Sequence, residues 1–171
     1  MSTAGHCQRR LAAASGGMSA PPPAPEPPAA TGFDPAGFAA VMFAHGHGGF
    51  LGLVYRGHGD DWAEVALPWR ADLVGVEATG VLASGPIISL LDSATSFAVW
   101  VRRRAFVAHA TLDLRIDYMR AAVPERTVIA RVECYQVRRS MSFVRGVAHD
   151  GDADDPVASV SGIFINTGPR T

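Results

Sequence analysis

At 171 residues and 48% hydrophobic content, the chain can bury one sizeable core. Its 15 Lys and Arg against 16 Asp and Glu leave a net charge of -1, which offers no basic footprint for nucleic acid and argues against a polyanionic partner. Two cysteines, Cys7 and Cys134, exclude a disulfide framework and fit a reducing compartment. No stretch reaches the roughly 18 apolar residues that a membrane-spanning helix needs. The N-terminus has no basic start followed by an apolar block, so a cytoplasmic protein without a membrane partner is expected.

Residues 1–31 include SAPPPAPEPPAA and almost no large apolar side chains. Burial cannot offset the entropy of ordering such a segment, so it is expected to be a disordered Pro/Ala-rich tail ahead of a single domain over 32–168. Asp34 followed by Pro35 supplies a cap and a first-turn proline, and predicts a short helix over 37–43 that ends near His45 and Gly46. Runs at 50–55 and 62–67 are strand-like and are joined by the Gly and Asp of a hairpin turn at 57–61; 70–82 is expected to be a loop.

A long helix is predicted next, within 81–104, with Ser84 as a candidate cap and Pro86 close behind it. At 100° per residue Ile87, Leu90, Leu91, Ala94, Ala98 and Val101 form one buried stripe. Asp92 lies on the other flank with Ile88, Thr95, Ser96 and Val99, a face too apolar to stand in open water, so a second partner should half-cover it. Arg102 to Arg104 suit the negative end of the helix dipole. Four strands follow, at 106–120, 127–138, 141–149 and 157–166. In the first of them alternation assigns Ala108, Ala110, Leu112, Leu114, Ile116 and Tyr118 to one face and His109, Thr111, Asp113, Arg115 and Asp117 to the other. Short turns between consecutive strands mean antiparallel pairing. The fold class is α+β, a curled antiparallel sheet of about six strands packed around one long helix.

Most standard catalytic signatures are absent. His45, His47 and His58 do not have metal-ligand spacing and no cysteine joins them; HGHGG lacks the Lys and the helix of a phosphate loop; no G-x-S-x-G is present. Cys134, inside a strand, reads as a buried structural thiol. What remains is the start of the long helix, where the free N–H groups of Ser84 and Gly85 can stabilise an oxygen gaining negative charge. Asp92, two turns on, is a carboxylate that can act as general base or nucleophile.

The runs GPIISLLDSA, HATLDLRIDYMRAA and MSFVRGVA resemble the hotdog-fold acyl-CoA thioesterases of the phenylacetate-pathway (PaaI-type) and 4-hydroxybenzoyl-CoA group, over about residues 46 to 166. That family opens its long helix with H-G-G and places an acidic catalytic residue nine positions after the His. Here these positions hold Ala83-Ser84-Gly85 and Asp92, so the His is replaced, while the backbone N–H of Ser84 still stands where the family polarises the thioester carbonyl. The upstream His47-Gly48-Gly49 is followed nine residues on by Arg56 and falls in a region expected to be strand, so it does not supply the motif.

The resemblance further implies that Thr111 matches a hydroxyl that, in some relatives, holds the attacking water from the partner subunit. It places Arg138, Arg139 and Arg145 on or beside strands that bind the nucleotide phosphates of CoA. The implied activity is hydrolysis of an acyl-CoA thioester by a homodimer or dimer of dimers, with no cofactor, since CoA belongs to the substrate, and no metal. The acyl pocket would form where two subunits meet around Met42, Phe97 and Trp100. A non-catalytic acyl-CoA-binding protein on the same scaffold is the alternative.

Overall fold

The computed structural model describes residues 32–168, so the expectations for the N-terminal 31 residues and Cys7 lie outside the described residues. Helix α1 (Pro35–Ala44) starts as expected, with Asp34 Oδ1 accepting from the N–H of Ala36 at 3.1 Å. Helix α2 (Gly46–Leu51) does not: Phe50 and Leu51 were expected in a strand. Glycine-rich sequence disfavours a helix, but here three contacts hold one. Leu51 is buried, Gly52 ends the helix at φ 70°, and Arg70 Nη1 donates to the Phe50 carbonyl at 2.9 Å. Gly49 has to be glycine, because a Cβ would stand 2.7 Å from the Ala44 carbonyl oxygen where α2 folds back on α1.

Strands β1 (Val54–His58) and β2 (Trp62–Leu67) form the expected hairpin, although β1 overlaps the run expected at 50–55 only at Val54 and Tyr55 and takes in Gly57 and His58 of the expected turn. The expected loop that follows carries a 3-10 turn at Ala71–Leu73 and a small hairpin of β3 (Val74–Val76) and β4 (Val81–Leu82). Helix α3 (Ser84–Arg103) comes next. Then come β5 (His109–Tyr118), β6 (Val128–Val137), β7 (Met141–His149) and β8 (Ala158–Asn166). Six strands make one open sheet in the order β1-β2-β6-β7-β8-β5, antiparallel throughout. It curls around α3, whose predicted stripe is buried in full together with Thr95, Phe97 and Val99. Each buried Leu or Ile contributes about 1.5–3 kcal/mol, so this one face anchors the fold. Among the described residues no helix is long and apolar enough to cross a membrane.

Two local departures matter for function. Ala83, not Ser84, is the N-cap of α3, and it offers no side-chain cap, so the N–H groups of Ser84 and Gly85 open the helix without one. Strand β5 carries a bulge between Thr111 and Asp113, opposite Phe164 and Ile163 of β8. An inserted residue reverses the alternation. Before the bulge His109 and Thr111 face α3, after it Leu114, Ile116 and Tyr118 do, and Leu112 is turned out at 58% exposure. Strict alternation had put His109 and Thr111 on the wrong face.

Gly162 of β8 lets β5 come this close. A Cβ there would lie 2.8 Å from the Asp113 carbonyl oxygen and 2.9 Å from Leu114 Cδ1. Gly162→Ala should therefore cost about 2 kcal/mol, the scale of overpacking, read as a lower midpoint in urea with an unchanged slope.

Candidate active site

One flank of α3 meets β5 side chain by side chain. Tyr118 Oη donates to the Ser84 carbonyl at 3.0 Å, Thr111 Oγ1 donates to Asp92 Oδ1 at 2.9 Å, and Ser96 Oγ is 2.8 Å from His109 Nε2. Positions 84, 88, 92 and 96 are one turn apart and so share this face, along which β5 runs. Asp92 is half-buried and Ile88 remains 42% exposed, so the flank is covered on one side and open on the other. The resemblance supplied the hydroxyl from a partner subunit; in this chain Thr111 reaches Asp92 of its own chain.

Residues 84 and 92 are eight apart, which at 1.5 Å per residue separates the helix-start amides from the Asp92 backbone by roughly 12 Å. A carbonyl bound at the helix start of one chain is thus out of reach of that chain's own carboxylate. The exposed side chains of Leu112, Tyr118 and Met119 lie on or beside β5, and β5 is the last strand of the sheet, with one backbone edge unpaired.

His109 is a functional candidate that sequence reasoning missed. Its ring packs between Trp100, at 4.6 Å, and Phe164, at 5.1 Å, and burial pushes its pKa down, keeping the imidazole neutral beside Ser96. Its Nδ1 is buried without a hydrogen-bond partner. Only the bulge brings it inward, and nothing in the alternation of β5 signals one. His47, set aside from the sequence both as a metal ligand and as the start of an H-G-G motif, lies on α2 with its Nε2 2.9 Å from Ser89 Oγ on α3.

The remaining candidates disperse. Arg138 and Arg139 sit exposed at the turn between β6 and β7, where Arg103 Nη2 donates to the Arg138 carbonyl at 3.0 Å. Arg145 pairs with Glu133 and lies over the Tyr135 ring on the outer face of the sheet, turned away from α3. A depression of about 480 Å³ on that outer face, lined by Trp62, Arg131, Glu133 and Arg145, is likewise across the sheet from Asp92. The three arginines therefore do not form one cluster in a single chain. Phe97 is fully buried between Phe43 and Tyr55, inside the protomer rather than at a subunit boundary. Cys134 is buried, and burial pushes its thiol up to about 11, as suits a structural role.

His45 precedes α2, His47 meets Ser89 and His58 meets the Tyr55 hydroxyl. Among the described residues no three His, Cys, Asp or Glu converge to hold a metal ion.

A family model described as the thioesterase superfamily matches residues 79–157, which contain both α3 and β5. A solved protein of Pseudomonas aeruginosa is 31% identical, covers 76% of this chain and 93% of its own length, and superposes with a TM-score of 0.66. The chain belongs to the thioesterase superfamily.

A mutant of the phenylacetic acid degradation protein PaaI from Thermus thermophilus is also similar to this thioesterase-superfamily chain, at 25% identity over 69% of this chain and 96% of that one, with a TM-score of 0.60. The PaaI protein of the E. coli phenylacetic acid degradation operon, at 18% identity, shares the fold over 78% of this chain and 94% of its own, with a TM-score of 0.67. No curated protein matches the sequence. The architecture is thus the hotdog fold of this superfamily, an open six-stranded sheet wrapped around α3. Membership supports thioester hydrolysis as the general chemistry.

Proposed function

We propose that the protein hydrolyses an acyl-CoA thioester at a site completed by two copies of the chain. The observation that carries this is the Asp92–Thr111 pair on the open flank of α3, set one turn beyond exposed Ile88. In this reading a second copy pairs its β5 with the unpaired edge of the first, covering Leu112 and the open flank. Its α3 start then faces the first chain's Asp92, which removes the gap of roughly 12 Å that the rise of the helix leaves within one chain. The acyl carbonyl rests on the N–H groups of Ser84 and Gly85, where the helix dipole and the free donors favour a developing oxyanion.

Asp92 then accepts a proton from water as it attacks, or attacks the carbonyl itself. Thr111 holds the carboxylate in place through its hydroxyl. Water attack yields a tetrahedral intermediate, the carbon–sulfur bond breaks, and carboxylic acid and CoA leave. Arg138 and Arg139, at an exposed turn, are available to CoA phosphates; Arg145, across the sheet, would meet them only in a larger assembly.

The test is thiol release from a panel of acyl-CoA esters, from acetyl to long-chain and aromatic, together with the mass of the protein in solution. Turnover of at least one ester by a dimer or tetramer is expected. Calorimetric binding of CoA esters with no thiol released would leave the binding-protein alternative, and a catalytically active monomer would end the two-chain site. Thr111→Val removes the hydroxyl at constant volume. Loss of one hydrogen bond to a charged group should lower kcat about tenfold with KM little changed.

A further inference from the structure

Resting on the thioester-hydrolase reading above, the geometry of α2 points to a proton donor for the departing thiolate. We propose that His47 and Ser89 form that donor. The HGHGG segment has no catalytic role in the mechanism so far, yet it folds as a helix and holds the His47 ring against α3. His47 Nε2 and Ser89 Oγ are 2.9 Å apart. Ser89 precedes Asp92 by three residues, so the two side chains are neighbours on the helix surface, with Cβ atoms about 5–6 Å apart. His47 is exposed and Ser89 half-buried, so the pair is open to solvent beside Asp92. Asp92 therefore has two hydroxyls near it, Thr111 from β5 bonded to its carboxylate and Ser89 three residues back, itself backed by an imidazole from α2.

That asymmetry fits the two ends of a thioester hydrolysis. Water loses a proton to Asp92 and its oxygen bonds to the acyl carbon. As the carbon–sulfur bond breaks, its electron pair goes to sulfur. The Ser89 hydroxyl proton passes to sulfur, and the Nε2 proton of protonated His47 passes to the Ser89 oxygen. Asp92 later releases its proton to solvent and His47 regains one, so the sum is thioester plus water to carboxylic acid plus thiol. A histidine can supply this proton near neutral pH, where a lone serine cannot.

A donor to the leaving group is needed in proportion to how poor that group is. His47→Gln and Ser89→Ala, compared with wild type on CoA esters and on aryl thioesters whose thiols are far more acidic, should separate the roles. The expected result is a kcat loss of about tenfold or more on the CoA ester and less than about twofold on the aryl ester, with melting temperatures unchanged. Equal losses on both esters would mean that the pair only ties α2 to α3, and no loss on either would mean that it is idle; each overturns the proposal. Asp92→Asn is the control for the underlying reading and should lose activity on both ester classes. If it loses neither, the thioester-hydrolase assignment has failed first.

Discussion

Replacing Asp92 by Asn should lower kcat on any acyl-CoA the protein hydrolyses by roughly a hundredfold to ten-thousandfold, the range of a lost general base. The change is nearly isosteric, and Thr111 Oγ1 can still donate to the remaining carbonyl oxygen at the position where it now meets Oδ1 at 2.9 Å. Stability should therefore hold while the chemistry fails. Asp92→Ala should lose as much activity and also strand the Thr111 hydroxyl. Circular dichroism and a thermal melt confirm folding, and thiol release gives the rate. Wild-type turnover in both variants would remove the carboxylate from the mechanism, and with it the proposed function.

The largest effect on stability is expected at Asp150. Its side chain is almost fully buried and takes Arg120 Nη2 at 2.7 Å, Arg120 Nη1 at 2.9 Å and the Val123 N–H at 2.7 Å. Arg120 also reaches Asp155 at 3.0 Å. This knot ties the end of β5 to the turn before β8, two residues beyond Tyr118, whose hydroxyl touches the helix start. Asp150→Ala leaves a guanidinium and an amide without their main acceptor, which should cost about 3 kcal/mol. That corresponds to a fall of roughly 10 °C in Tm.

The pH dependence has a definite sign. The Arg120 guanidinium, first, and the Val123 N–H hold the Asp150 carboxyl down at about 2 in the folded protein. A depressed carboxyl stabilises the fold above its unfolded value of roughly 4 and loses that contribution as pH falls toward 2. The gap in Tm between wild type and Asp150→Ala should therefore be full at neutral pH and shrink between about pH 4 and 2. A gap that stays constant across that window would show that the charge of Asp150 is not what stabilises.

Where burial follows a single period, the sequence was legible. The α3 stripe, strand β2 and the three strands from β6 to β8 emerge where the apolar runs predict them, because each buries one face against the core. Asp92 was legible as the acid on the half-covered flank. Helix α2, the β5 bulge and the small β3–β4 hairpin were not. Helix α2 is held by contacts with Ala44 and Arg70, distant from what a glycine-rich hexapeptide favours on its own. The β5 bulge is set by its pairing with β8 and by the bare Cα of Gly162, neither visible in β5. Because of it, His109 and Thr111 point at Ser96 and Asp92 instead of outward; the resemblance named Thr111, but its bond to Asp92 of its own chain and the place of His109 came to light only in three dimensions.

Eight residues of rigid helix also act as a spacer whose length sets a rule of inheritance. If carbonyl and carboxylate are served by different chains, a protomer lacking its acid and another with a blocked helix start each carry the half that the other has lost. Mixed assemblies of two such inactive chains would regain some working sites, while pure assemblies of either stay silent.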